Sequence, residues 1–114
     1  MNGVNKVILL GTLGKDPQGY TSKDGKTYAA LSLATNRTWK DKDGEKGEKT
    51  EWHRVTVWGK RAELCQQFLK KGSGVYIEGY LATAEIEDPE GKKRWNTYIN
   101  ADQVTFLPST ARSP

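Results

Sequence analysis

The run Glu51-Trp52-His53-Arg54-Val55-Thr56-Val57-Trp58-Gly59-Lys60 changes character at every step. A pleated strand sends successive side chains to opposite faces, so Trp52, Arg54, Thr56 and Trp58 fall on one face and His53, Val55 and Val57 on the other. The second set reads as core. The first carries two indoles around a guanidinium, too polar for a packed interior and too aromatic for an idle surface. Flat rings interleaved with cations suit a nucleic-acid strand, whose bases stack on rings and whose phosphates meet charges. The competing reading is that one indole plugs the core edge while Arg54 lays its stem over apolar surface.

The rest of the chain supplies partners for that strand. Val7-Ile8-Leu9-Leu10 is a short apolar strand, with Gly11 and Gly14 marking where it bends or ends. Lys23-Asp24-Gly25-Lys26 is a tight turn, and a long strand follows from Tyr28 to Trp39 with Leu31 and Leu33 on one side. Lys40 to Lys49 alternates in sign and reads as a solvated, mobile hairpin loop. Gly59 to Leu69 is the helix candidate, with Ala62, Cys65, Phe68 and Leu69 on one face and Gly72 as its stop. Val75, Ile77 and Leu81 alternate with Tyr76, Glu78 and Tyr80 in a strand that ends near Pro89-Glu90-Gly91, and a last strand spans Arg94 to Phe106. Strand, long strand, strand, helix, strand, strand is the order of an all-β OB-fold, a five-stranded Greek-key barrel with one short α-helix between strands three and four. The expected domain is 1–107, and 108–114 is expected to be a disordered C-terminal end.

Composition narrows the function. A chain of 114 residues accommodates one modest core, and a net charge of +4 with pI near 9.2 suits a polyanionic partner without naming one. The single cysteine, Cys65, excludes an internal disulfide framework and a cysteine-rich zinc site. His53 is the only histidine and sits with Val55 and Val57, a poor place for a general base. The acids lie mostly in loops beside lysines, and no glycine cluster has phosphate-loop spacing. No catalytic residue, metal or cofactor is therefore expected. The N-terminus has no secretory pattern and no apolar run reaches membrane length, so the expected location is the cytoplasm.

Three segments resemble the bacterial single-stranded DNA-binding protein family: Val4-Asn5-Lys6-Val7-Ile8-Leu9-Leu10-Gly11, Thr50-Glu51-Trp52-His53-Arg54-Val55 with Gly59-Lys60, and Lys71-Gly72-Ser73-Gly74-Val75-Tyr76-Ile77-Glu78-Gly79. The resemblance extends over nearly all of residues 3 to 107. It implies an OB-fold assembled as a homotetramer that binds single-stranded DNA with little sequence preference in replication, recombination and repair, associated with the nucleoid. Trp39 and Trp52 match the family's stacking tryptophans, and Trp58 stands where phenylalanine is common. Alternation does not help Trp39, which shares the parity of Leu31 and Leu33 and would point inward without a bulge. Lys6, Arg54, Lys60 and Lys71 match basic positions that resemble phosphate contacts; the alternative for each is ordinary surface charge. His53 and the row Tyr76, Glu78 and Tyr80 fall where the resemblance implies subunit contacts.

The chain departs from the family in two places. In Ala82-Thr83-Ala84-Glu85-Ile86 alanines replace two expected arginines and Ile86 replaces a stacking tryptophan, which puts DNA contact along this hairpin in doubt. Trp95, beside Arg94 on the returning strand, is the candidate to compensate, with Arg94 as a further phosphate contact. Strict alternation sets Trp95 with Ile99 and Ala101, so packing at the core edge competes. The family's long tail with an acidic tip is not seen before Pro114, and recruitment of other replication and repair proteins is expected only where such a tail continues the chain. Two rivals remain, a dimeric primosomal relative on the same fold and a small OB-fold nuclease. The retained tryptophans speak against the first and the missing acid cluster against the second.

Overall fold

Burial follows the alternation of the strands. In a computed structural model describing residues 1–108, Val55 and Val57 are fully buried while Trp52, Arg54 and Trp58 on the opposite face are exposed. The elements are β1 (Val7–Leu13), β2 (Gln18–Thr21), β3 (Thr27–Lys40), β4 (Lys46–Trp58), α1 (Lys60–Phe68), β5 (Gly74–Glu87) and β6 (Lys93–Phe106). They form one sheet in the order β1-β5-β6-β4-β3-β2, closed into a barrel by pairing of β1 with β3. All pairings are antiparallel except β4 with β6, which run parallel through Val55 opposite Ile99. The five long strands make the barrel of an OB-fold, as expected.

Two details differ from the expected layout. The short β2 was not anticipated; it adds to the outer edge of β3, with Tyr20 opposite Tyr28. Counting it, the helix lies between the fourth and fifth strands rather than between the third and fourth. The second difference is the segment from Lys40 to Lys49, expected to be a mobile loop. β3 and β4 stay in register as far as Lys40 opposite Lys46, so only Asp41 to Glu45 is turn. Most of the expected disordered end, from residue 109 onward, lies outside the described residues.

Closing the barrel requires β1 to change partners. It pairs with β5 as far as Thr12 and with β3 from Thr12 to Leu13. Where the strands converge, a Cβ on Gly11 would sit 2.1 Å from the carbonyl oxygen of Ala34. Only glycine admits so close an approach of two backbones. The opposite seam bends at a bulge, where Glu78 faces Gln103 but Gly79 faces Ala101. The extra residue, Asp102, offers its carbonyl to the Arg61 guanidinium, which satisfies an acceptor that the ladder leaves unpaired.

Leu31, Leu33, Val55, Val57, Val75, Ile77 and Ile99 fill the interior, and Ala62 and Cys65 of α1, with Leu69 just past its end, are buried against it. Burial pushes the Cys65 thiol up to about 11, so it stays protonated and packs as a small apolar group. Phe68, expected on the buried helix face, is instead 61% exposed and leans on Phe106 at 6.4 Å between ring centres. Residues 62, 65 and 69 already fill the narrow stripe that faces the barrel, which leaves Phe68 on its flank.

Three hairpins share one turn. In Asp41–Glu45 and Asp88–Lys92 an aspartate carboxylate accepts two backbone N–H groups, and in Ser22–Lys26 the serine hydroxyl accepts one. Gly44, Gly91 and Gly25 close these turns at φ of 82°, 85° and 83°, a left-handed conformation open to glycine. This is the three-residue loop with a glycine bulge that keeps flanking strands paired. β3–β4 and β5–β6 therefore outrun the barrel as two ordered arms. Because β4 and β6 run parallel, the arm tips lie toward the same end of the molecule.

Candidate nucleic-acid interface

Cross-strand register assembles the open face of β4 into a groove. Trp52 stands opposite Ala34, Arg54 opposite Ser32, Thr56 opposite Ala30 and Trp58 opposite Tyr28, while β2 adds Gln18 and Tyr20 beyond β3. The resulting depression, about 520 Å³, has Ser32, Ala30, Arg54 and Thr56 among its lining residues, with Lys15 at its side. Trp52, 61% exposed, bounds one end. The edge of its six-membered ring meets Gly14, where a Cβ would be 2.3 Å from the nearest ring carbon. The far end is a row of three aromatics. Tyr20 and Tyr28 stack at 5.3 Å and 24°, and Tyr28 meets Trp58 at 4.7 Å and 36°.

The other two tryptophans sit on the arms. β3 and β4 hold register without a bulge, so Trp39 keeps the parity of Leu31 and Leu33. Beyond Thr35 there is no barrel left to enclose that face, and Trp39 is 47% exposed with its ring laid across Gly47. Arg37, Lys49 and Glu51 complete a shallow groove beside it. Trp39 thus lies on the face of the β3–β4 ribbon opposite to Trp52 and Trp58. Trp95 behaves likewise: it faces Glu85 across the β5–β6 arm on the same side as Ile99, yet is 65% exposed, so it does not pack at the core edge. Ile86 faces Arg94 on the other side of that arm, with Ala82 and Ala84.

The single-strand binding protein family matches residues 4–107. The chain belongs to that family. A relative, "Single-stranded DNA-binding protein 1" of Xylella fastidiosa (strain 9a5c), is 48% identical over 108 residues, which is 94% of this chain and 79% of the relative. Among solved structures, "Plasmodium falciparum SSB complex with ssDNA" superposes at a TM-score of 0.82 with 31% identity, covering 95% of this chain and 98% of that one. A deletion mutant of the single-stranded DNA binding protein from Thermus aquaticus superposes at 0.82 with 30% identity, covering 96% of this chain and 53% of that one.

In this single-strand binding family member the candidate cations divide by what already engages them. Lys6 pairs with Glu78 at 3.0 Å, and Arg94 pairs with Asp88 at 3.5 Å at the base of an arm tip. Arg54, Lys60 and Lys71 have exposed side chains and no ion-pair partner among the described residues. Lys60 and Arg61 open α1, where the helix dipole disfavours cations, so helix stability does not account for them. His53 is half-buried on the inner face, its Nε2 2.9 Å from the Thr35 hydroxyl. On the outer face of β5 the Tyr76 hydroxyl donates to Glu78 at 2.6 Å, and Tyr80 accepts from Asn100 at 2.9 Å. The Tyr76 hydrogen bond first, and Lys6 second, hold the Glu78 carboxyl below its usual range. The same hydrogen bond raises the Tyr76 phenol.

Sequence reasoning missed Tyr20 and Tyr28. A signal was present: Tyr20-Thr21 and Thr27-Tyr28 mirror each other about the turn, as partners in a hairpin must. Among the described residues no cluster of three or more metal-ligating side chains occurs.

Proposed function

We propose that this chain binds single-stranded DNA without regard to sequence, through an OB-fold domain spanning residues 1–107, and that it acts as a coating protein in replication, recombination and repair rather than as an enzyme. The observation that carries the reading is the row Trp52–Arg54–Thr56–Trp58, which presents two exposed indoles to bases and one unpaired cation to a phosphate on a single face of β4. Stacking tolerates any base because every base has a π-face. Trp39 and Trp95 extend the path onto the arms, with Arg54, Lys60 and Lys71 meeting phosphates. Lys6 and Arg94 must first release Glu78 and Asp88, which makes them the weaker candidates.

The family resemblance and a second surface support a homotetramer. Ile8 and Leu10, 59% and 60% exposed, stand beside Glu78 and Tyr76 on the outer face of β1 and β5. An apolar pair framed by a satisfied polar network suits a contact between copies, and several OB faces in one assembly raise effective affinity for a long strand. Nucleoid association follows from DNA binding.

Titration of tryptophan fluorescence with oligo(dT) and with duplex DNA at several salt concentrations tests the main reading. Quenching by the single strand, weakened by salt and weak with duplex, is expected. Equal response to both forms would overturn it. Light scattering tests assembly: a tetramer is expected, and a stable dimer would favour the primosomal alternative.

A further inference from the structure

The row Tyr20–Tyr28–Trp58 does more than bound the groove. β3 lies between β2 and β4, and the register sets Tyr28 between Tyr20 and Trp58. With rings at 5.3 Å on one side and 4.7 Å on the other, Tyr28 has neither face open. Tyr20 does: it sits on the edge strand, is 45% exposed, and its hydroxyl is tethered to Gln18 at 2.8 Å, which restrains the ring. Lys15 lines the same groove, and Lys23 and Lys26 belong to the turn beside this row. None of the three has an ion-pair partner among the described residues.

Resting on the single-stranded DNA reading above, we propose that the three rings form one platform that takes a base at each end, on Trp58 and on Tyr20, with Tyr28 a positioning residue that takes none. A single strand crossing the groove then continues over β2, and the lysines of that edge meet its phosphates. A row of rings already packed side to side is held in place before DNA arrives, so less side-chain freedom is lost on binding.

The alternative is that Tyr20 only props Trp58 through Tyr28, and a double-mutant cycle with Tyr20→Ala and Trp58→Ala on oligo(dT) separates the two. Independent stacking predicts that Tyr20→Ala weakens binding by roughly 5- to 150-fold, the span seen when one stacked aromatic is truncated, and does so equally in the Trp58→Ala background. A pure prop predicts that the loss vanishes there, which would overturn the proposal. Tyr20→Phe should retain affinity and Tyr20→Leu should lose it, so the ring rather than bulk is tested even where the alanine variant folds poorly. Tyr28→Phe should be neutral. Should wild type bind oligo(dT) while all Tyr20 variants match it, this proposal fails and the DNA-binding reading stands. Absence of wild-type binding would remove both.

Discussion

The barrel and its arms are built from the same strands with the same alternation, yet one side chain parity means opposite things in the two regions. On β3, Leu31 and Leu33 are buried and Trp39, six residues beyond Leu33, is half exposed on the same face. On β6, Ile99 is buried and Trp95 on the same face is 65% exposed. Alternation assigns a face; only the presence of a covering layer makes that face an interior. Where the strands outrun the barrel, the face that would be core is left open to solvent with an indole on it.

The largest effect that sharpens this contrast is on stability. Ile77 is fully buried, and Ile77→Ala should cost about 2 to 5 kcal/mol by lost transfer energy plus the cavity left behind. Trp39→Ala and Trp95→Ala, on exposed arms, should leave the unfolding midpoint in denaturant nearly unchanged. An arm variant that unfolds the protein as readily as Ile77→Ala would erase the distinction.

Next in size is DNA affinity. Trp52→Ala and Trp58→Ala should each weaken oligo(dT) binding by about 1 to 3 kcal/mol in folded protein. Gly14→Ala and Gly47→Ala isolate ring placement from ring identity, since each methyl would stand 2.3 Å from the nearest carbon of the indole beside it. Gly14→Ala displaces Trp52 in the groove, and Gly47→Ala displaces Trp39 on the arm. The groove variant should lose more affinity, because the proposed path sets Arg54 and the aromatic row beside Trp52. Equal losses would show the arm to be as much a binding surface as the barrel.

What the sequence made legible divides along the same line. The two faces of β4 were readable because the strand is regular and its apolar face is covered. Val75 and Ile77 of β5 and Ala62, Cys65 and Leu69 at α1 followed from periodicity, whereas Leu81, on the same parity as Ile77 but where β5 leaves the barrel, is 50% exposed, and Phe68 is displaced by the narrowness of the helix contact. The exposure of Trp39 was not readable from parity, which carries no information on where a barrel ends. β2 escaped because all four of its residues are exposed, so hydrophobic patterning had nothing to register. The mirrored tyrosine–threonine pairs were its one trace.

A smaller effect concerns charge. Arg54→Ala removes an unpaired cation from the groove and should flatten the plot of log affinity against log salt by about 0.7, one phosphate contact on a single strand. Lys93→Ala, on the β5–β6 arm, removes a cation already 3.5 Å from Glu85 and should leave the slope unchanged. Loss of affinity in Arg54→Ala with an unaltered slope would assign Arg54 to packing instead.

The smallest effect lies on the outer face of the barrel. Hydrogen bonding from Tyr76 and the charge of Lys6 favour ionised Glu78, so its folded value lies below its unfolded one. A lowered carboxyl contributes stability that is complete above the unfolded value and is lost as pH falls through the folded value. The group is partly solvated, which keeps the contribution small. Wild type should therefore exceed Glu78→Gln in thermal midpoint at neutral pH, and the gap should close on acidification below the ordinary carboxylate range. Glu85→Gln on the arm, which breaks only an exposed pair with Lys93, should show a smaller gap at neutral pH. If the outer face joins copies, light scattering will report dissociation over the same acid window in wild type; a Glu78→Gln gap that persists unchanged into acid would show that the side chain acts there by shape and not by charge.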